Sequence, residues 1–371
     1  MAENTGNIKE NNQERIFRLL RRQGSMTKQE IGAALQLSMP TTLQNVNDML
    51  ERGILEEGGA TESTGGRRAR KIQLNRKAGY CAGIDITTDS MEMVAANLMG
   101  EVIGKQSRPL KFRDEPEVYD QIGETFEVFL KKNRLKSRIL GVGISFPGII
   151  DVQADRIIRS HIFGLEYVSL DRFRKSIPYP LIVENDANCL GYAEVSGSRM
   201  DYIYISLNKT VGGALVQEDG QIVKGEGFRA GEIGHLILVP GGRKCYCGKS
   251  GCVDAYLSSG ILSGEEQSLE KFFDALQRND RNAFSKWEKY LDDLAILATN
   301  LRMVLDQKIM IGGEVGAYIE PYMGELQKRA AEYDRFARDV DYLYPCTQTE
   351  AAGALGAALL ALDEFGNEVL K

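Results

Sequence analysis

Apolar and polar positions alternate along this chain in three regimes. Between Gln13 and Gln23 the apolar residues Ile16, Phe17, Leu19 and Leu20 are flanked by Arg15, Arg18, Arg21 and Arg22. That spacing predicts a short amphipathic helix, ended by Gly24. Thr27 followed three residues later by Glu30 reads as a capping box opening a second helix through Ile31, Ala34 and Leu35. After Gln36-Leu37-Ser38, a third helix begins near Pro40 and runs through Leu43, Val46, Met49 and Leu50 to Gly53. Ile54 to Glu57 and Lys71 to Leu74 read as two strands around a Gly-, Ser-, Thr- and Arg-rich loop. Three short helices and a hairpin predict a winged helix-turn-helix over residues 1–75.

From about residue 76 the pattern changes. Tyr80 to Asp85, Glu92 to Leu98, Ile139 to Ile144 and Leu181 to Glu184 read as strands, and Glu117 to Lys132 as a helix. Ser145-Phe146-Pro147-Gly148 closes one strand, and Asn185-Asp186-Ala187-Asn188 turns another into a helix. Alternating strands and helices to the C-terminus give an α/β class with candidate sites at strand ends.

Charge sharpens the division. The first 80 residues hold 13 basic and 9 acidic side chains, leaving 33 basic and 43 acidic in the rest of a chain whose net charge is −6. A basic head on an acidic body suits a polyanionic partner for the head. Within it, Thr41, Thr42, Gln44 and Asn45 are candidates for base edges in the major groove. Arg67 and Arg68, in Gly65-Gly66-Arg67-Arg68, are candidates for the minor groove, and Lys28, Arg70 and Lys71 for phosphates. A purely structural helical bundle or a protein-binding module is the plainer alternative for the head.

No apolar run is long enough to span a bilayer, and the polar stretch from Met1 to Asn12 does not have the form of a signal peptide. A cytoplasmic location is the expectation. Three of the six cysteines crowd together as Cys245-x-Cys247-x4-Cys252, with His235 ten residues upstream. Clustered thiols in a cytosolic chain point to a metal, and three cysteines with one histidine form a closed tetrahedral set suited to structural zinc. Three free buried thiols are the alternative.

Four patterns occur in order: Gly141 to Asp151 (GVGISFPGIID), Val183 to Asn188 (VENDAN), Gly231 to His235 (GEIGH) and Cys245 to Asp254 (CYCGKSGCVD). The series resembles the ROK family of sugar kinases and transcriptional repressors over roughly residues 80–362. The resemblance implies a two-lobed, actin-like or hexokinase-like ROK domain over residues 76–371, with a sugar between the lobes and zinc beside it. Asn185, Asp186, Glu232, His235 and Asp254 then fall at sugar-contacting positions, and carboxylates, amides and imidazole are the groups that pair with hydroxyls. At the last position the family usually has Glu, one methylene longer than Asp254. His161 falls loosely where family members often place an Asn near the sugar. In the kinases the residue matching Asp186 is the catalytic base.

The phosphate side departs from the kinase pattern. The family's Asp-x-Gly-Gly-Thr-Lys turn is here Asp85-Ile86-Thr87-Thr88-Asp89-Ser90, and its second Gly-rich turn is Ser206-Leu207-Asn208-Lys209-Thr210-Val211-Gly212-Gly213. Lost glycines hinder close backbone approach to phosphates, and Asp89 adds like charge. The expectation is therefore a repressor without catalytic activity, in which a monosaccharide effector alters operator DNA binding by a homodimer or dimer of dimers. A ROK-type kinase acting on a hexose or N-acetylated hexosamine, and a sensor answering to a partner protein, are the rival readings.

Overall fold

The computed structural model describes residues 2–60, 70–194, 200–264, 268–336, 340–348 and 350–370; for 2–10 and 59–60 only the backbone is described. The chain opens with α1 (Ala2–Gln23), β1 (Met26–Thr27), α2 (Lys28–Leu35) and α3 (Met39–Glu51), followed by β2 (Leu55–Ala60) and β3 (Arg70–Leu74). Thr27 caps α2 reciprocally with Glu30, as its sequence predicts, and Ser38 caps α3. The strands form a small antiparallel sheet in the order β1-β3-β2. The first helix starts about ten residues before the amphipathic segment that announces it.

Next come β4 (Tyr80–Ile86), β5 (Ser90–Asn97), β6 (Val102–Pro109), α4 (Pro116–Lys132) and β7 (Ile139–Phe146). A small hairpin sheet follows, made of β8 (Ile149–Asp151), β9 (Arg156–Ser160) and β10 (Leu165–Ser169), then α5 (Asp171–Ser176), β11 (Leu181–Asn185) and α6 (Asp186–Glu194). The first lobe's sheet has the order β11-β7-β4-β5-β6, with β7 and β11 parallel to β4 and the β4-β5-β6 meander antiparallel. Phe126, Phe129, Phe146 and Phe173 fill the core between this sheet, α4 and α5.

The second lobe is built on β12 (Tyr202–Leu207) and β13 (Val211–Val216), followed by α7 (Asp254–Leu257), α8 (Gly260–Ser263), α9 (Leu269–Gln277) and α10 (Arg281–Leu305). It continues with β14 (Lys308–Gly312), α11 (Gly313–Gly316), α12 (Met323–Tyr333) and β15 (Leu343–Pro345), in a sheet ordered β13-β12-β14-β15. Its core gathers Trp287, Leu291, Leu294 and Phe273 against Ile203, Ile205 and Ile311.

The last helix, α13 (Ala352–Phe365), returns to the first lobe. Its small residues let it lie flush on the sheet: a Cβ on Gly83 would sit 1.8 Å from Ala354 O, and one on Gly143 would sit 2.0 Å from Ala357 O. Ile16, Phe17 and Leu20 of α1 share one apolar cluster with Leu355, Leu359 and Leu362 of α13. The head therefore has no core separate from the body. Arg21 of α1 donates to Leu362 O at 3.1 Å and pairs with Asp363, and Arg52 donates to Leu370 O.

Candidate functional site

The cleft between the lobes is built where β11 hands over to α6. Asn185 ends the strand in register with Phe146 of β7, and Asp186 begins the helix. Asn185 is held from several sides. Its Nδ2 donates to Gly148 O at 3.0 Å and to Asp186 Oδ1 at 3.1 Å, and its Oδ1 accepts from Asn188 N at 3.0 Å. Gly148 has φ +148, and a Cβ there would lie 2.6 Å from Arg159 O, so the Ser145-to-Gly148 turn needs glycine. Glu184 anchors the junction from below, accepting from Asn185 N, Asn188 Nδ2 and Lys224 Nζ at 3.0, 2.9 and 2.6 Å.

Asp186, Asn185, Asn188, Glu232, His235, His161 and Tyr246 all line this one cleft. Burial raises the carboxyl of Asp186 above the ordinary value, while backbone N–H groups and Asn185 pull it back. Burial and the nearby Asp186 charge push Glu232 up to about 7. Two carboxyl groups and two amides in a partly dry cleft can accept and donate to several hydroxyls at once. Such a set binds a polyol better than it binds an anion.

Asp254 is placed elsewhere. It is buried behind the cleft wall, where its Oδ2 accepts from Val211 N at 2.8 Å, with Tyr246 OH at 3.5 Å. Its shorter side chain is spent on the β13 backbone, and the expectation of a direct ligand contact at this position is corrected accordingly. Tyr246, which sequence reasoning passed over, faces the cleft instead. Its ring forms an edge-on trio with those of His161 and His235, with centroids 5.4 to 5.9 Å apart. Its position inside the cysteine motif is the signal that could have found it.

Below the same wall, His235, Cys245, Cys247 and Cys252 bring their ligand atoms within 4.8 Å of one another. Cys247 Sγ and Cys252 Sγ are 3.7 Å apart, close to the edge of about 3.8 Å implied by zinc–thiolate bonds of about 2.3 Å in a tetrahedron. His235 turns Nδ1 toward Cys245 Sγ at 3.9 Å and Nε2 toward Glu232, also at 3.9 Å. The four residues fit a metal ion bound through Nδ1, with the other ring nitrogen left for the cleft.

At the opposite end, the two turns that replace the kinases' phosphate loops are tied together. Lys209 Nζ, in the β12–β13 turn, bonds Asp89 Oδ2 at 2.6 Å and Thr88 Oγ1 at 3.1 Å. Thr87 and Ser90 close their own turn, and Asn208 Oδ1 accepts from Glu314 N at 2.7 Å. Side chains of the two turns thus pair with one another.

A model of the ROK family matches residues 81–364. The chain belongs to the ROK family. Over 376 aligned residues this ROK chain is 24% identical to the xylose repressor of Bacillus subtilis strain 168, with 96% of each chain covered. Its fold resembles the crystal structure of a ROK family transcriptional regulator described as a homologue of the E. coli MLC protein, with TM-score 0.80, 20% identity and 98% of both chains covered. It also resembles the ROK hexokinase of Thermus thermophilus, with TM-score 0.65 and 23% identity, over 78% of this chain and 99% of that one.

The head arranges its candidate residues unequally. Gln44 is exposed, and Thr41 is partly exposed, its Oγ1 2.9 Å from Ser38 Oγ. Lys28 Nζ donates to Asn47 Oδ1 at 2.7 Å. Thr42 and Asn45 are buried, at 0% and 2% exposure, which corrects their expected role at base edges. Thr42 Oγ1 donates to Ser38 O and Asn45 Nδ2 to Thr41 O, so both serve the helix itself. Leu43, one of the apolar residues along this helix, is exposed at 38%. The outward face of α3 comprises Pro40, Leu43, Gln44 and Asn47. Arg67 and Arg68 lie outside the described residues.

Proposed function

We propose that this ROK protein is a transcriptional repressor whose DNA binding answers to a sugar held between the lobes. Residues 1–75 are the DNA-binding head, a winged helix-turn-helix, and residues 76–371 the sensor. The observation that carries the reading is the shared core of α1 and α13. α13 packs on α6, and α6 begins with Asp186 in the cleft. Cleft and head are therefore linked by two directly packed helices. The character of the Bacillus subtilis relative, a xylose repressor, supports the same assignment.

In this reading Asn185, Asp186, Glu232 and the free nitrogen of His235 pair with sugar hydroxyls, and His161 and Tyr246 close the wall. Zinc on His235, Cys245, Cys247 and Cys252 fixes the wall's shape by linking the histidine to the cysteine loop. Sugar binding favours one lobe arrangement and shifts the population of operator-competent heads. Two heads of a dimer, or of a dimer of dimers, then meet or miss paired half-sites. Asp186 acts as a sugar ligand here, a reading supported by the turns on the phosphate side, where Lys209 is paired with Asp89. The protein works where DNA is, in the cytoplasm. Among the described residues no helix is long and apolar enough to cross a membrane.

The test is selection of duplexes from a random library with the full chain, then titration of the recovered duplex with and without monosaccharides. Enrichment of a two-fold symmetric sequence whose affinity changes with one sugar is expected. Sugar-dependent ATP consumption with no enriched duplex would instead establish the kinase reading.

A further inference from the structure

The outward face of α3 carries apolar side chains that the core of the head does not use. Met39 is 40% exposed and Leu43 38%, and Pro40, Gln44 and Asn47 are exposed beside them. Met39 and Leu43 are one helical turn apart, so they stand on the same side of the helix. Among the described residues, neither belongs to the apolar cluster that Ile31, Val46 and Met49 share with the body. Met39 is braced on α2, its sulfur 3.7 Å from where a Cβ on Gly32 would lie. A single exposed leucine is ordinary, but three adjoining apolar residues on one uncharged helix face call for a partner.

The same helix lacks the side chains that most often read guanine. None of the 13 residues of α3 is Lys or Arg, and its first turn has no acidic residue. Thr42 and Asn45 are turned inward, so the outward polar groups are the amides of Gln44 and Asn47. The cations stand beside the helix. Lys28 opens α2 and reaches Asn47 Oδ1 at 2.7 Å, and Lys71 of β3 faces Thr27 of β1 in register. Flanking cations of this kind suit phosphates on either side of a groove. They leave the middle of α3 to meet base edges with apolar groups and neutral amides. Of the groups that a major groove displays, the thymine 5-methyl is the apolar one.

We propose that Leu43 reads a thymine 5-methyl group in each operator half-site, with Met39 and Pro40 widening the apolar contact. The inference rests on the DNA-binding reading of the head and names the chemical group on the operator that this helix selects. Burying one methyl group against Leu43 contributes about fourfold in affinity per half-site. Cytosine, which presents an amino donor and no methyl, offers Leu43 nothing in exchange. Gln44 next to it supplies the hydrogen-bonding half of the same readout.

The experiment starts from the duplex that selection with the full chain enriches. Each thymine is replaced in turn by deoxyuridine, which removes the methyl group and keeps the base pair. Wild type and Leu43→Ala are then titrated against the set by fluorescence anisotropy. Wild type should lose about three- to fivefold at one thymine, or at two adjacent ones, in each half-site. At those positions Leu43→Ala should bind the thymine and uracil duplexes alike. Alanine is a strong helix former and the position is exposed, so this variant should fold as wild type does. Gln44→Ala, by contrast, should keep the uracil effect. If no uracil weakens wild type, or the loss persists in Leu43→Ala, the methyl contact is wrong and the DNA-binding reading stands. A Leu43→Ala chain that changes its association state and leaves the thymine–uracil difference untouched would make this face an interface between copies and overturn the inference. If no duplex is enriched at all, the DNA-binding reading falls, and this inference with it.

Discussion

Replacing Asp85 by Asn should stabilise the chain, by an amount that grows with pH. Asp85 lies near the end of β4, beneath the cleft, where Ser145 Oγ donates to its Oδ1 at 2.5 Å. Gly353 of α13 packs so close that a Cβ there would lie 2.6 Å from the carboxyl carbon. Burial, and then the charges of Asp186 and Glu92, push this carboxyl from 3.8 to about 7, against the pull of the Ser145 hydrogen bond. The folded state thus binds the proton more tightly than the unfolded chain, so stability falls as pH rises from the ordinary carboxylate value to about 7 and then levels off. At about 1.4 kcal/mol per pH unit, the full penalty is on the order of 4 kcal/mol. Asparagine keeps an oxygen for Ser145 and has no charge to bury. Urea unfolding of both proteins between about pH 5 and about pH 8 should show Asp85→Asn gaining on wild type up to neutrality, with a constant margin above it. A margin that does not change with pH, or a variant less stable throughout, would refute the assignment of the penalty to ionisation.

Three further outcomes are expected. Protein purified without added metal should contain about one zinc per chain, and Cys247→Ser should lower both the metal content and the urea midpoint, as measured by elemental analysis and unfolding, because binding is coupled to folding. Asp186→Asn should weaken the effector roughly 5- to 150-fold in calorimetry, the range set by losing one partner of a buried polar pair, while operator affinity without sugar stays near wild type. Gln44→Ala should alter the sequence recovered in duplex selection, whereas Asn45→Ala should lower stability and leave base preference intact, since the Asn45 side chain is turned into the head.

The sequence was most legible where a pattern carried its own chemistry. The Thr27–Glu30 box, Pro40 at the start of α3 and the Asn185-Asp186 handover from strand to helix all sit where residue type and spacing put them. The metal-ligand set was legible because thiols have few other reasons to cluster. The base-edge candidates on α3 were only partly legible because polar type was allowed to outrank helical period. Thr42, Val46 and Met49 lie on one face at helical spacing, which turns Leu43 outward and Thr42 inward despite their types. The buried Thr42 is tolerated because its hydroxyl bonds Ser38 O. Asp254 misled in another way, since a family position was read as a role. A side chain one methylene shorter reaches the Val211 amide and goes no further. The β8-β9-β10 sheet gave no periodic signal.

The union of the two chain ends bears on how a sugar can be felt at the DNA. Arg21 is largely enclosed at the joint between α1 and α13, and burial pulls its guanidinium down to about 10. A charge in that position is tolerable only while its partners are in place, here Asp363 and the carbonyl of Leu362. A slipped head would keep apolar contact but leave Arg21 unpaired, so the joint favours one docking angle over its neighbours. At the other side of α13, a Cβ on Gly356 would lie 1.7 Å from Cys189 O of α6, so these two helices meet backbone to backbone. The helix α6 in turn packs on β12 and β13 of the second lobe, with Gly191 beside Ala214 and Tyr204. Close-packed contacts of this kind change by discrete repacking more readily than by gradual compression. A lobe movement that shifts α6 must therefore either carry α13 and the docked head with it or break the Arg21 pairing. Either outcome gives the head two distinct positions, and a differential of about 1–3 kcal/mol between them is the size of coupling that sugar control of DNA binding requires.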